Sequence, residues 1–244
     1  MSEHTHPSAW RAQPLGRRGF FRVTAASAAA VTLVAAGCTD DVPTPIAPDP
    51  FLLNLPAGDS GLLYYVYMLA IAQATLYEQV VTAPPSDLTP SERAIFADLR
   101  DHEVVYRELF KYALDPTGAQ QLLPTDFAFN LKPFTLSTRV GVLEAAKQLE
   151  DLAAAAYPPL LFLFSNAGTS QLALLLKMSS VHARHAATVR HLLAPGSFAA
   201  DDVVEATGNF AGQARTKTPT EVMAALAPYF APYTVSVARL AVPI

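Results

Sequence analysis

The pattern of apolar and polar positions predicts four long amphipathic helices. In each of them apolar residues recur at alternating steps of three and four, as expected when one face of a helix is buried in a bundle. The predicted helices cover about residues 59–81, 89–114, 137–157 and 171–193. Together they predict an all-α four-helix bundle.

Start and stop signals support these limits. Asp59-Ser60 is expected to cap the first helix, and Thr89-Pro90-Ser91-Glu92 forms a capping box with proline at the first helical position of the second. Pro158-Pro159 should kink or interrupt the third helix, and Ala194-Pro195-Gly196 ends the fourth.

The connections indicate the topology. A short loop joins helices 1 and 2, and another joins helices 3 and 4, whereas residues 115–135 form a connection of about twenty residues without a helical period. Such a length predicts one long crossover between helices 2 and 3. Residues 195–244 form a C-terminal extension whose short helix begins at a second capping box, Thr218 to Glu221, and we expect it to pack across the bundle.

Polar side chains interrupt the interior stripes of all four helices. They are Gln73 on helix 1, Glu103 and Tyr106 on helix 2, Glu150 on helix 3, and His182 and His185 on helix 4. A carboxylate in an apolar stripe is costly unless it is paired or bound to a metal. His102 and Arg107 flank Glu103 and could supply its pairing. Two histidines three residues apart can also point at one ion.

The first 37 residues of the 244-residue chain have the composition of an export signal. Arg17-Arg18 precede an apolar stretch to Ala36 that is too short to span a membrane, and Cys38, the only cysteine, follows at once. This order resembles the twin-arginine signal of a bacterial lipoprotein. Two outcomes stay open, namely lipidation of Cys38 with attachment to the membrane surface, or plain cleavage nearby that leaves a soluble exported protein.

Charge and proline content extend this picture. Removing a signal of net charge +3 from a chain of net charge −4 leaves a mature protein of −7, so nucleic acid is not an expected partner. We expect the protein in the periplasm or cell envelope.

Residues 38–58 contain five prolines, which predicts an extended tether. Alternatively, their second half forms an ordered arm packed by Phe51, Leu52, Leu53 and Leu55.

Three segments of the predicted helices are distinctive: DHEVVYRELF at 101–110, LEDLAAAAY at 149–157 and VHARHAATVRHLL at 181–193. Together they resemble the bacterial ferritin-like domain family that includes desiccation-related proteins, and LLPTDFAFN at 122–130 is similar to the crossover strand of that family. The resemblance covers about residues 59–195. It implies a ferritin-like four-helix bundle over residues 59–194, whose di-metal members hold two ions through four glutamates and two histidines.

The departures from that ligand pattern are informative. Glu103, Glu150 and His185 fall where the resemblance implies ligands, but Tyr106 replaces a histidine and His182 replaces a glutamate. Helix 1 has Ala70 and Gln73 where acids would be expected on its interior stripe. Two carboxylates cannot neutralise two divalent ions, so the ordinary oxygen-activating di-iron centre is not expected.

Two hypotheses remain. In the first, the site is degenerate and metal-free: Glu103 pairs with a protonated histidine, and the domain is a binding, scaffold or stress-related module that could pair with a ferritin-like paralogue or a second copy of itself. In the second, Glu103, Glu150, His182 and His185 hold a single Fe, Mn or Zn ion in a metal-binding protein or a metal-dependent oxidoreductase. Tyr106 and Gln73 are then further ligands or supporting neighbours, and His102 is a supporting neighbour.

Overall fold

The computed structural model describes residues 49–165 and 170–240, which contain a four-helix bundle. Helix α1 packs mainly against α2, and α3 mainly against α4, while α1 also contacts α3. The predicted all-α bundle with its long crossover is confirmed. The bundle helices are α1 (Gly58–Thr82), α2 (Pro90–Leu114), α3 (Arg139–Leu160) and α4 (Ser170–Leu193).

The predicted start of α2 is confirmed, but that of α1 is not. Thr89 accepts a hydrogen bond from the backbone of Glu92, whose side chain in turn accepts one from the backbone of Thr89. In α1 the residue before the helix is Ala57, which offers no side-chain cap. The Asp59 carboxylate instead accepts hydrogen bonds from the backbone N–H and the hydroxyl of Ser165, at 2.9 and 2.7 Å. Asp59 therefore ties the start of α1 to the segment that follows α3.

The two prolines of α3 end the helix without interrupting it. The helix includes Pro158 and Pro159 and continues to Leu160, which is fully buried. After them the N–H groups of Leu161, Phe162 and Leu163 each bond to a carbonyl three residues earlier. This tighter hydrogen bonding closes the helix, so the expected kink or break is replaced by a terminal turn.

The crossover and the C-terminal extension pack on each other. Residues 122–130, which resemble a crossover strand in sequence, contain no strand. Their aromatic side chains instead contact those of the extension, as Phe129 does with Tyr229 at a ring separation of 5.2 Å. The predicted capping box at Thr218 is present, and the extension comprises a 3₁₀ turn (Ser197–Ala199), helix α5 (Pro219–Phe230) and strand β2 (Thr234–Ser236).

The second half of the proline-rich segment was predicted to be either an extended tether or an ordered arm. Residues 51–55 form an ordered arm. Strand β1 (Leu52–Asn54) pairs in parallel with β2, with Leu52 opposite Thr234. Leu55 is buried, and the arm passes so close to α1 that a Cβ on Gly61 would lie 1.9 Å from the carbonyl oxygen of Pro56. The signal, Cys38 and the first part of the tether lie outside the described residues.

Across residues 49–165 and 170–240, none of the helices combines the length and the apolar character that a membrane crossing would require.

Candidate metal site

The structure brings the four predicted ligand residues together. Glu103 comes from α2, Glu150 from α3, and His182 and His185 from α4. One ligand atom from each lies within 4.8 Å of all the others, and all four side chains are buried. It is the one such group of three or more acids, histidines or cysteines among the residues that the structure describes.

Helical periodicity explains this convergence. Glu150 lies among fully buried residues of α3 such as Ala146 and Ala153, and the histidines lie between Met178 and Val189, which are equally buried. The predicted interior stripe of α2 is less regular, because Tyr106, three residues after Glu103, is only half-buried. The four candidate ligands themselves lie on the buried faces that helical periodicity predicts.

The distances within the site exceed those of ion-pair hydrogen bonds. His185 Nδ1 lies 3.3 Å from Glu103 Oε1 and 3.5 Å from Glu150 Oε1, and His182 Nδ1 lies 3.3 Å from Glu150 Oε2 and 3.7 Å from Glu103 Oε1. A charge-assisted N–H···O bond is usually about 2.7–2.9 Å. Ligands about 2.0–2.1 Å from a tetrahedral ion would be about 3.3–3.4 Å apart. The carboxylate–imidazole distances are close to this spacing, and one donor atom from each residue lies within 4.8 Å of the others, so the four residues could surround one ion.

Several buried polar atoms of the site make no hydrogen bond to the described residues. Both carboxylate oxygens of Glu103 are in this state, as are His185 Nδ1 and His182 Nε2. An ionised carboxylate that is removed from water without a partner is strongly destabilising. A cation between Glu103 and His185 would satisfy both groups at once, so the residues present fit a metal.

Glu150 differs from Glu103 because it has a hydrogen-bond donor in the protein. The hydroxyl of Tyr77, on α1, donates to Glu150 Oε1 at 2.7 Å. Burial and the charge of Glu150 raise the pKa of Tyr77 well above its usual value, so the hydroxyl keeps its proton. Tyr77 was not among the residues predicted for the site, although its position one turn after Gln73 was an available signal.

The predicted supporting residues contact the site in different ways. Gln73 Nε2 lies 3.4 Å from His182 Nδ1. Tyr106 contacts His182 through its ring, edge to face at a ring separation of 5.6 Å. These two side chains, together with Tyr157 on α3, enclose His182 in an aromatic and amide environment.

Neither predicted partner of Glu103 pairs with it. Arg107 donates to Glu78 at 3.0 Å and to Glu108 at 2.9 Å, because its side chain turns toward α1 and along α2. His102, an exposed residue, approaches His185 instead, with 3.0 Å between His102 Nδ1 and His185 Nε2. His102 is adjacent in sequence to Glu103 and therefore points about 100° away from it around the helix, whereas Arg107, one turn after Glu103, is held by its two acidic partners.

The two glutamates differ in their preferred protonation. Burial raises the pKa of Glu103 above its usual range. Burial acts in the same direction on Glu150, but the adjacent His182 and His185 outweigh it and lower the pKa of Glu150 to about 2. Although burial favours neutral His185, the two carboxylates raise its pKa to about 9. Without an ion, the site therefore retains protons that a metal would displace.

Comparison with protein families gives one match. The family model described as "Ferritin-like domain" matches residues 58–195, which is more than half of the chain and contains all four bundle helices. Comparisons with curated proteins and with solved structures gave no match.

Proposed function

Because the chain belongs to the ferritin-like domain family, we propose that its bundle is a metal-binding module that holds one divalent ion through Glu103, Glu150, His182 and His185. The charges support a single ion. Two carboxylates balance the two positive charges of one divalent ion, and the two imidazoles add ligands without charge. A fully buried site gains most from this neutrality, since an unbalanced charge there is poorly solvated.

The same balance argues against a di-iron oxidase. Two divalent ions would bring four positive charges to a pocket with two carboxylates, and the residues of α1 that face it are Gln73 and Tyr77, which are both neutral. The excess charge would be destabilising in a site of such complete burial. We therefore propose a role in binding, without oxygen activation at a paired iron centre.

The observation that carries the proposal is Glu103. Its carboxylate is 0% exposed and accepts no hydrogen bond from the described residues, while its Oε1 atom lies 3.3 Å from an equally unsatisfied His185 Nδ1. Two carboxylates and two imidazoles that lie within 4.8 Å of one another suit zinc, and iron or manganese can also use this set. When bound, the ion would supply charge neutralisation and link α2, α3 and α4.

A metal-free scaffold is the second candidate. The hydrogen bond from Tyr77 to Glu150 favours it, because that bond satisfies part of the polar cluster without an ion. In that case Glu103 would pair with a protonated histidine, and the cluster would act only to hold the helices in register.

Metal analysis separates the two candidates. The protein purified after export from a bacterial host should contain close to one equivalent of zinc, iron or manganese, and Glu103→Ala and His185→Ala should each abolish it. His191→Ala is the matched control, since His191 is an exposed histidine of the same helix and should leave the metal content unchanged. Metal-free wild-type protein whose unfolding midpoint does not respond to added zinc, iron or manganese would establish the scaffold.

We also propose that the domain is exported by the twin-arginine route and attached to the membrane through lipidated Cys38. The order of Arg17-Arg18, the apolar stretch and Cys38 supports this. Replacing both arginines by lysine should leave the precursor in the cytoplasm. Cys38→Ser should abolish incorporation of labelled fatty acid and release the exported domain from the membrane fraction. If the signal is cleaved without lipidation, the wild-type protein would incorporate no labelled fatty acid.

A stress-related role and pairing with a second bundle are further parts of this proposal. The first rests on the resemblance of residues 101–110, 149–157 and 181–193 to segments of desiccation-related proteins. Survival of a deletion strain during drying would test the stress-related role.

Light scattering of the purified protein would test the pairing, because it distinguishes a monomer from a homodimer.

A further inference from the structure

His102 lies outside the four candidate ligands and is joined to one of them. It occupies an exposed position on α2, and its Nδ1 atom lies 3.0 Å from the Nε2 atom of buried His185 on α4. The ring planes differ by 6° and the ring centres are 5.2 Å apart. The distance between the ring centres is roughly the nitrogen–nitrogen distance plus the distance from each ring centre to its nitrogen. The two rings therefore meet edge to edge, as in a linear hydrogen bond.

The two nitrogen atoms of His185 therefore have different surroundings. Nδ1 faces Glu103 and Glu150, whereas Nε2 faces His102. A neutral imidazole has one N–H group and one lone pair, and the hydrogen bond at one nitrogen decides which atom has the lone pair. If Nε2 donates its proton to His102, the Nδ1 lone pair is left for the ion.

His182 provides an internal contrast. Its Nδ1 atom also faces the carboxylates, but its Nε2 atom is buried and makes no hydrogen bond to the described residues. His185 is thus the candidate ligand whose outer nitrogen is held by another imidazole. In metal sites, such an outer hydrogen bond fixes the orientation of the ligand and raises its basicity.

We propose that His102 is a positioning residue, which accepts a hydrogen bond from His185 Nε2–H and so presents the Nδ1 lone pair of His185 to the metal. The hydrogen bond itself needs no metal, whereas its effect on affinity rests on the proposed metal-binding function. His102 is not a ligand in this arrangement, because the nitrogen that it directs toward the site is already occupied by His185.

Two variants of His102 test the hydrogen bond. His102→Asn places an amide oxygen near the position of Nδ1 and keeps an acceptor, while His102→Leu has a similar size and no acceptor. In ¹⁵N-labelled full-length, metal-free protein, NMR should show a protected imidazole proton on His185 Nε2 in wild type and His102→Asn. It should exchange rapidly with water in His102→Leu. A proton on His102 Nδ1, with none on His185 Nε2, would overturn the proposal.

Zinc affinity, measured by competition with a chromophoric chelator, tests the consequence. His102→Leu should bind zinc about 10- to 100-fold more weakly than wild type, as losses of such outer hydrogen bonds usually do, and His102→Asn should recover most of the affinity. His191→Leu is the control and should match wild type. Equal affinity in His102→Leu and wild type would refute the positioning role. If wild type itself does not bind zinc, iron or manganese, the proposed function fails, and the NMR result alone decides whether His102 orients His185.

Discussion

Two buried glutamates on the same face of α2 have opposite surroundings. Glu92 is 5% exposed, and its carboxylate accepts hydrogen bonds from the backbone and hydroxyl of Thr89 and from Arg139 at 2.7 Å. Glu103, three turns further along, is 0% exposed and accepts none from the described residues. Burial alone therefore does not identify a functional carboxylate. Burial without a hydrogen-bond donor among the described residues points to a carboxylate that binds something else.

The pKa values of the two groups shift in opposite directions for this reason. The hydrogen bond from Arg139 lowers the pKa of Glu92 to about 2, against the effect of burial. Burial raises the pKa of Glu103 because the neighbouring histidines only partly compensate for it. Glu92 is stabilised as an anion by the folded chain itself, whereas Glu103 needs an ion or a proton.

The largest expected effect is that of metal on the wild-type protein. At a free ion concentration about a thousand times the Kd, binding adds about 4 kcal/mol to the free energy of unfolding, roughly 10 °C in Tm for a chain of this size. Chelation should remove this increment in wild type, and Glu103→Gln should lack it. A chelator-sensitive Tm in Glu103→Gln would mean that Glu103 is not a ligand. Differential scanning calorimetry with and without chelator measures both.

The same substitution at Glu92 should change the stability of the protein to the same extent with and without metal. Glu92→Gln removes the charge of a carboxylate bonded to Arg139 and weakens the capping box, so the free energy of unfolding should fall by about 1–2 kcal/mol. Urea unfolding should give the same loss with and without chelator. A loss that appears only in the presence of metal would show that the two glutamates are coupled.

Removing the hydroxyl of Tyr77 should lower the free energy of unfolding by about 1 kcal/mol, because it deletes one buried hydrogen bond to Glu150 and leaves the ring in place. Tyr77→Phe should lower the Tm in chelator and leave metal binding at one equivalent. Loss of bound metal in this variant would instead make Tyr77 part of the ligand set. Metal analysis and calorimetry on the same sample distinguish these results.

Acid should reduce the difference between wild type and Glu92→Gln to nearly zero. The pKa of Glu92 falls from 4.5 to about 2 on folding, so its contribution is fully present above pH 4.5 and is lost as the pH falls toward 2. The Tm values of the two proteins, measured in chelator across this range, should converge. A difference that stays constant down to pH 2 would contradict a lowered pKa.

Much of the fold and the main part of the site follow from the sequence. The stripes of α2, α3 and α4 depend on local periodicity, which places Glu103, Glu150 and His185 on interior faces before any helix is docked. That their ligand atoms meet at one depth depends on the lengths of the connections, and these lengths are also visible in the sequence.

The remaining features depend on how the helices are rotated against each other. Tyr77 reaches Glu150 across two helices, and His102 meets His185 across another pair, so neither contact has a signal in one helix alone. The bond from Ser165 to Asp59 likewise joins segments that are far apart in sequence. Propensity and periodicity describe single elements, whereas these contacts are set by tertiary packing.

The short pairing of β1 with β2 has a consequence for the order of folding. Its partners, such as Leu52 and Thr234, are separated by nearly the whole described chain, and closing so long a loop adds only a few hydrogen bonds. Helix hairpins close much shorter loops and should form earlier. We therefore expect the two strands to pair last during folding and to separate first during unfolding, so their amides should exchange with solvent while the bundle stays closed.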